Sequence, residues 1–528
     1  MSTRAELLGG HAALGIEFGS TRIKAVLIDR RNRPIATGSH QWSARLEDGH
    51  WTYALADVWL GVQAAYRELA AQVLAEYAVE LRTVAAIGIS GMMHGYLALD
   101  DEGHQLVPLR TWQDTTTKRA AQELSEVLGV NIPLRWSISH VHQAILDAEP
   151  HVARLAHLTT LAGYVHWRLT GQRVLGIGDA SGMFPTDAAT GDYDERLLER
   201  YTRHVEERAL PWRLRDVLPK VLVAGQPAGE LTAHGARLLD PSGSLQPGAL
   251  FAPPEGDAGT GMVATGAVAP RTANLSAGTS IFAMVVLERP LSRPYPELDV
   301  VATPAGDDVV MVHCNNGAAD LQHWVQLFGQ AARALGAEFD DDQLYGSLYR
   351  RAFDGAPDAG GLVAYNFRAG EPTVDVAEGR PLFVRLPDSE LNLANFMRAQ
   401  LFGALASLRI GFDVLAAERV ELENLYAHGG LFRTPQVAQR HLAAALRVPV
   451  TVRDTASEGG AWGMALLARY ATQPSGSLSE WLAREVFAEE ETCTIVARPE
   501  ETAGFDAYLR RYEAALPLAR AAAGALAE

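Results

Sequence analysis

The strongest restriction on the fold is a short pattern that occurs twice, half a chain apart. Leu14-Gly-Ile-Glu-Phe runs into Gly19-Ser20-Thr21 and on to Ile23–Asp29, and Thr272-Ala-Asn-Leu-Ser-Ala runs into Gly278-Thr279-Ser280 and on to Ile281–Leu287. Each copy reads as strand, tight turn, strand. The two glycines lie 259 residues apart in a chain of 528. An offset of half the length points to two similarly built lobes.

Helical and extended patterns alternate between the copies. Val58, Val62, Ala65, Leu69 and Val73 recur at spacings of three and four, which predicts an amphipathic helix, and Val84–Ile89 reads as a strand. In the second half, Phe396, Met397, Leu401, Leu405, Leu408, Phe412 and Leu415 form a longer helical stripe. Leu425–His428 then leads into Gly429-Gly430 and a helix over Gln436–Leu446. Such alternation indicates α/β lobes rather than a sandwich. Pro241–Gly256 holds four prolines and three glycines and reads as a loop or an inter-lobe crossing. The expected division is 1–262 and 263–528, with Ala471–Ser477 setting off a helical C-terminal tail.

Composition removes several function classes. With 46 basic and 63 acidic side chains the net charge is −17, the wrong sign for bulk contact with a phosphate backbone. Cys314 and Cys493 match neither a metal-ligand pair nor a disulfide framework. The first residues lack the apolar stretch of a signal peptide. The uncharged run Thr272–Leu287, at 16 residues, is too short and polar to span a bilayer. The expectation is a cytoplasmic protein without nucleic-acid or membrane partners.

Seven segments carry chemistry-bearing residues. The turns Gly19-Ser20-Thr21 and Gly278-Thr279-Ser280 offer backbone N–H groups and hydroxyls that can cradle phosphate oxygens, or are plain hairpin turns. Asp257 stands on the glycine-flanked turn Gly256–Gly261, where it either caps a helix or serves as a general base toward a substrate hydroxyl. Met93 and His94 follow a strand and offer an apolar wall and an imidazole. Trp112 and Asp114 can stack on a sugar face and accept from its hydroxyls; the alternative is a buried Trp with a turn Asp. Gly429, Gly430 and Arg433 open a helix with room for a flat base or a phosphate, and Ser457-Glu458-Gly459-Gly460 opens another.

Taken in chain order the segments resemble the FGGY carbohydrate kinases, over about residues 13 to 470. Gly15–Thr21 looks like the family's first phosphate motif, and Ile87–Gly95 like its sugar-site segment in a form close to that of xylulokinases. Gly256-Asp257 falls where the family has its catalytic aspartate, and Leu275–Ser280 resembles the second phosphate motif. His428–Gly430, Val448-Pro-Val450 and Glu458-Gly459 resemble the nucleotide-binding region. The resemblance implies two actin-like, ribonuclease H-like α/β lobes with a catalytic cleft between them that closes on MgATP and sugar. It also implies γ-phosphoryl transfer to a primary hydroxyl.

By that resemblance 1–262 is the sugar-binding lobe with the catalytic Asp257, and 263–528 is the nucleotide-binding lobe. Met93, His94, Trp112 and Asp114 would contact the sugar. Gly19, Ser20, Thr21, Gly278, Thr279 and Ser280 would hold phosphates, with Gly429, Gly430 and Arg433 near the base. Glu17 and Asp257 would hold Mg²⁺. Relatives usually carry Asp at Glu17, and the extra methylene moves the charge. Gly178-Asp179-Ala-Ser181 resembles a segment near the sugar. The family's first signature, with Lys and Trp before Glu-Pro, is not kept over Val141–Pro150. D-Xylulose is the first expected acceptor, with L-ribulose and polyols behind it. A sugar- or nucleotide-binding regulator is the alternative of another class, and a homodimer is compatible with either.

Overall fold

The computed structural model describes residues 2–453, 459–490 and 492–525, and these separate into two compact units. The first holds 2–269, 293–309 and 459–490; the second holds 270–292, 310–453 and 492–525. Each is α/β.

In the first unit, β1 (Ala13–Phe18) and β2 (Arg22–Ile28) form the expected antiparallel hairpin, closed by a bond from Gly19 N–H to Arg22 O at 3.0 Å. Next come β3 (Pro34–Gln41), α1 (Leu55–Tyr77), β4 (Ala86–Gly91), β5 (Leu250–Phe251), β6 (Glu255–Gly256) and α2 (Asp257–Thr265). The sheet order is β5-β4-β1-β2-β3, with β6 also paired to β4. Strand β4 runs parallel to β1, as β5 and β6 do to β4. The five apolar positions read from the helical stripe of α1 are all buried.

The second unit repeats this plan. Its hairpin is β7 (Thr272–Ala277) and β8 (Ile281–Val286), followed by β9 (Asp308–Cys314), α3 (Leu393–Ala417), β10 (Asn424–His428), α4 (Val437–Leu446), β11 (Val450–Val452) and β12 (Cys493–Ile495). The order β9-β8-β7-β10-β11 matches β3-β2-β1-β4-β5, and β12 extends it. As in the first unit, the hairpin is antiparallel and its first strand takes a parallel neighbour, β10. By length and composition α3 alone among the described helices is apolar enough to cross a membrane. It is instead a core helix: all seven residues of its stripe are buried, and it packs on α4 and the strand Val363–Tyr365.

Three expectations about boundaries change. The Pro-rich segment does not lead out of the first unit; it delivers β5 and β6 to the edge of the first sheet, and Pro253 and Pro254 interrupt that edge because they cannot donate to a ladder. The division falls instead after Ala269, and within the range 263–528 two segments, 293–309 and 459–490, pack with the first unit. The tail is not purely helical: β12 pairs antiparallel with β11 before the helix Pro499–Ala525.

The helix Gly459–Thr472 shows why this distant segment belongs to the first sheet. It lies against β1 so closely that a Cβ on Gly15 would sit 2.1 Å from the Ala461 carbonyl oxygen. Trp462 Nε1 donates to Asn32 O at 2.9 Å, fixing the helix to the β2–β3 turn. Gly15→Val is therefore expected to separate helix and strand and cost about 1–3 kcal/mol, read as a lowered urea midpoint. An unchanged midpoint would contradict this seating.

Candidate functional site

Sheet register assembles the centre of the first unit. Glu17 on β1 is opposite Ser90 on β4, and Ser90 is opposite Glu255 on β6, so three polar residues form one row near the carboxyl ends of parallel strands. Open α/β sheets bind ligands at such ends. One residue past β6, Asp257 begins α2, where the positive end of the helix dipole favours a carboxylate. The Asp257 Oδ1 atom accepts from Met93 N–H at 3.3 Å. Thr260, one turn into α2, meets Ser90 Oγ at 3.0 Å.

Four acids share this region. Burial pushes Asp257 up to about 6, although backbone N–H groups of Met93 and Ala258 pull the other way. Burial, and next the charge of Asp257, push Glu17 up to about 7; Lys24, its partner across the hairpin, opposes them. Asp179 is fully buried and is likewise held at about 7 by burial, with Asp257 adding to the effect and a 2.6 Å bond from Thr160 Oγ1 opposing it. Glu255 is pushed well above the carboxylate range by burial, with Asp179 adding to it. Asp179 Oδ1 and Glu255 Oε1 are buried without a partner among the described residues.

Close packing leaves little freedom here. A Cβ on Gly256 would meet Met93 Cγ at 2.1 Å, so the methionine lies directly on the turn that presents Asp257. A Cβ on Gly460 would meet Glu17 Oε1 at 2.2 Å and Thr260 Oγ1 at 2.8 Å. The longer Glu17 side chain thus finds its space against a glycine in the first turn of a helix.

The predicted sugar-side residues gather around the same strand end. His94, in a left-handed conformation with φ 69°, places Nδ1 3.3 Å from Gly182 O and stacks on Trp136 at 6.4 Å. Burial, and then Arg135, hold its pKa well below the usual value. The ring is neutral, Nδ1–H donates to the carbonyl, and Nε2 is left as an acceptor. Trp112 is exposed and its Nε1 donates to Ser20 Oγ at 3.3 Å, joining the first Gly-Ser-Thr turn to this group. Asp114 is buried: Oδ2 meets His50 Nδ1 at 2.5 Å, and Oδ1 accepts from Thr116 N–H and Oγ1. Those bonds, with His50, outweigh burial and lower its pKa. One of its four lone-pair positions, on Oδ2, stays open to a further donor.

In the second unit the other predicted residues converge. Gly278 N–H bonds Ser280 O at 2.9 Å, and the turn accepts from Gly317 and Ala318 N–H groups. Register places Ser276 beside His428, which brings Gly429 against Ala277. Gly430 and Arg433 then line a cavity of about 830 Å³ with Ala318, Gln322, Tyr345 and Tyr349. Ser457 and Glu458 lie outside the described residues.

Sequence reading did not single out Glu255, Thr260, Trp136, His140 or Tyr345. Glu255 immediately precedes the Gly256-Asp257 pair, and that adjacency was available as a signal. Trp136 and His140 carry no local signature; their buried nitrogens, Nε1 of one and both of the other, lack partners among the described residues.

With this geometry in hand, similarity to known proteins becomes specific. Residues 12–240 match the N-terminal domain, and 273–472 the C-terminal domain, of the FGGY family of carbohydrate kinases. The chain belongs to that family. It is similar to xylulose kinase of Escherichia coli (strain K12), 24% identical over 482 residues that cover 89% of this chain and 92% of the relative. It is also 24% identical to xylulose kinase of Klebsiella pneumoniae over 289 residues, there spanning 53% of this chain and only 56% of the relative. The crystal structure of xylulose kinase from Rhodospirillum rubrum shares the fold with a TM-score of 0.78, at 19% identity, over 96% of this chain and 99% of that one.

The raised acids set a pH dependence of stability. Glu17 goes from 4.5 to about 7 on folding, so the folded state binds the proton more tightly. Stability then falls as pH rises from about 4.5 to 7, and Asp257 and Asp179 act in the same direction. In buffer free of divalent cations, Glu17→Gln is expected to flatten that fall and to melt higher than the parent at pH 8. Parallel melting curves from pH 4.5 to 8 would contradict it.

Proposed function

We propose that this chain is an ATP-dependent kinase that phosphorylates the primary hydroxyl of a ketopentose, D-xylulose first. The observation that carries the reading is Asp257: a carboxylate at a helix start, fixed by Met93 N–H beside His94, with its pKa raised to about 6. A general base works best when its pKa lies near the operating pH. The xylulose kinases among its relatives support D-xylulose as the acceptor.

In this mechanism His94 Nε2 accepts a sugar hydroxyl, Trp112 covers a sugar face, and Met93 supplies an apolar wall. Asp114 holds His50 and keeps acceptor capacity for a second hydroxyl. The buried nitrogens of Trp136 and His140 and the free oxygen of Asp179 offer polar partners that a polyhydroxylated ligand satisfies and an apolar one does not. Asp257 takes the proton of the acceptor hydroxyl as its oxygen attacks the γ-phosphorus. The bond to the β–γ bridging oxygen breaks, and ADP carries that electron pair away. The Gly19 and Gly278 turns bind phosphate oxygens through N–H groups and hydroxyls, while the cavity beside Gly429, Gly430 and Arg433 accepts the nucleoside.

Mg²⁺ fits the residues present. Glu17 and Asp257 are both only partly exposed, and the charge of Asp257 raises the pKa of Glu17, as neighbouring carboxylates do. Mg²⁺ is commonly held by one or two carboxylates together with substrate phosphates. Bound there, it neutralises charge on the transferring phosphoryl group.

The test is ADP release with MgATP and D-xylulose, L-ribulose, D-ribulose, L-xylulose, glycerol or erythritol. D-Xylulose is expected to exceed the others, and Asp257→Ala to lower kcat at least 100-fold with ATP affinity nearly intact. Because the base must be ionised, kcat/KM should fall below a midpoint near pH 6. A flat panel with ATP and sugar bound but no turnover would overturn the kinase reading in favour of a regulator.

A further inference from the structure

A second group of ligand-type side chains lies in the first unit, outside the machinery described above. Glu123 is on the helix Lys118–Leu128, His142 on the helix Ser137–Leu146, and His204 is the last residue of the helix Glu195–His204. Glu123 Oε1 is 2.8 Å from His204 Nε2 and 3.3 Å from His142 Nε2. The three donor atoms all lie within 4.8 Å of one another, and among the described residues no other set of three His, Cys, Asp or Glu side chains converges this way.

We propose that Glu123, His142 and His204 bind one divalent transition-metal ion of the Zn²⁺ class and thereby brace three helices. Two imidazole nitrogens and one carboxylate oxygen are a recurrent zinc ligand set, with the remaining position left to water. Bonds of about 2.0–2.1 Å in tetrahedral geometry put ligand atoms roughly 3.3 Å apart. The Glu123–His142 separation already meets that spacing, Glu123–His204 falls a few tenths of an ångström short of it, and the two imidazole donors lie within 4.8 Å. The side chains of His204 and Glu123 are partly exposed, which leaves one side open to the ion and its water, while His142 closes the other side as a buried ring.

The surroundings favour a cation on balance. His142 is buried beside Glu123, the acid that both rings already contact. His204 sits at the carboxyl end of its helix, where the dipole attracts positive charge, and Glu123 supplies a full negative one. Arg208 is the opposing charge. Coordination requires each ring to carry its proton on Nδ1, so binding exchanges two N–H···O bonds to Glu123 for three metal bonds without changing the charge of neutral rings.

The ion would act at a distance from the chemistry. The helix that carries His142 also carries Ser137, whose hydroxyl donates to Gly95 O at 2.5 Å, and His140, which stacks on Tyr96 at 6.1 Å. Bracing that helix steadies the backbone immediately after Met93 and His94.

The experiment uses the full chain, stripped by chelator and dialysed against Zn²⁺, with bound metal measured by atomic emission and the melting midpoint followed against Zn²⁺ concentration. One Zn²⁺ per chain and a midpoint that rises with free Zn²⁺ are expected. Glu123→Gln and His204→Ala should each weaken binding at least tenfold while the metal-free midpoint and circular dichroism stay near the parent's. These two positions reach solvent, so the variants avoid the core; His142 does not. The absence of stoichiometric binding at micromolar Zn²⁺, or an affinity in both variants equal to the parent's, would reduce the cluster to a hydrogen-bonded junction and overturn the proposal.

Discussion

Like charges buried together are expensive, and the first unit is organised around that expense. Glu17, Asp179, Glu255 and Asp257 are each pushed toward the protonated form by loss of water, and three of the four are further raised by a neighbour's charge. The surrounding structure supplies partial relief: Met93 N–H and the start of α2 for Asp257, Lys24 across the hairpin for Glu17, Thr160 for Asp179, and the Asp179 N–H for Glu255. Incomplete neutralisation is what makes the site responsive. A carboxylate near its titration point accepts a proton readily, and a pair that repel each other welcome a cation.

The repeated topology puts this electrostatic feature where a ligand can meet it. In both units an antiparallel hairpin is followed by parallel strands in the same order, so both Gly-hydroxyl-hydroxyl turns stand at the end of the first strand, next to the end of its parallel neighbour. The first unit places acids at that position, with Met93 and His94 beside them. The second places there a Gly-Thr-Ser turn that accepts from the Gly317 and Ala318 N–H groups, beside a large cavity with Arg433. One backbone plan therefore serves two chemistries, and the difference is carried by side chains at the strand ends.

Much of this was legible in the sequence. The hairpins, the stripes of α1 and α3, and β10 leading into Gly429-Gly430 are local patterns of period two or 3.6, and local patterns survive folding when they match the burial the sheet provides. Asp257, Met93 and His94 could be picked out because glycine turns beside strands are marked by composition. The ends of the two units were less legible. Pro253 and Pro254 look like a way out of the unit but only separate β5 from β6 along the sheet edge, and no local signal tells that 459–490 returns to the first sheet.

What the sequence alone determined was the class of fold, two α/β lobes each built on a hairpin with a glycine turn, and which candidate side chains stand nearest those turns. Tertiary structure decided everything that depends on register between distant strands and on burial. It set Glu17, Ser90 and Glu255 in one row, seated Gly460 against Glu17, committed part of Asp114 to His50, and gathered Glu123, His142 and His204 from three helices. The physical reason is that a residue's type is written in the chain, whereas its pKa, its partners and its reach come from dielectric surroundings and neighbours contributed by segments hundreds of positions away.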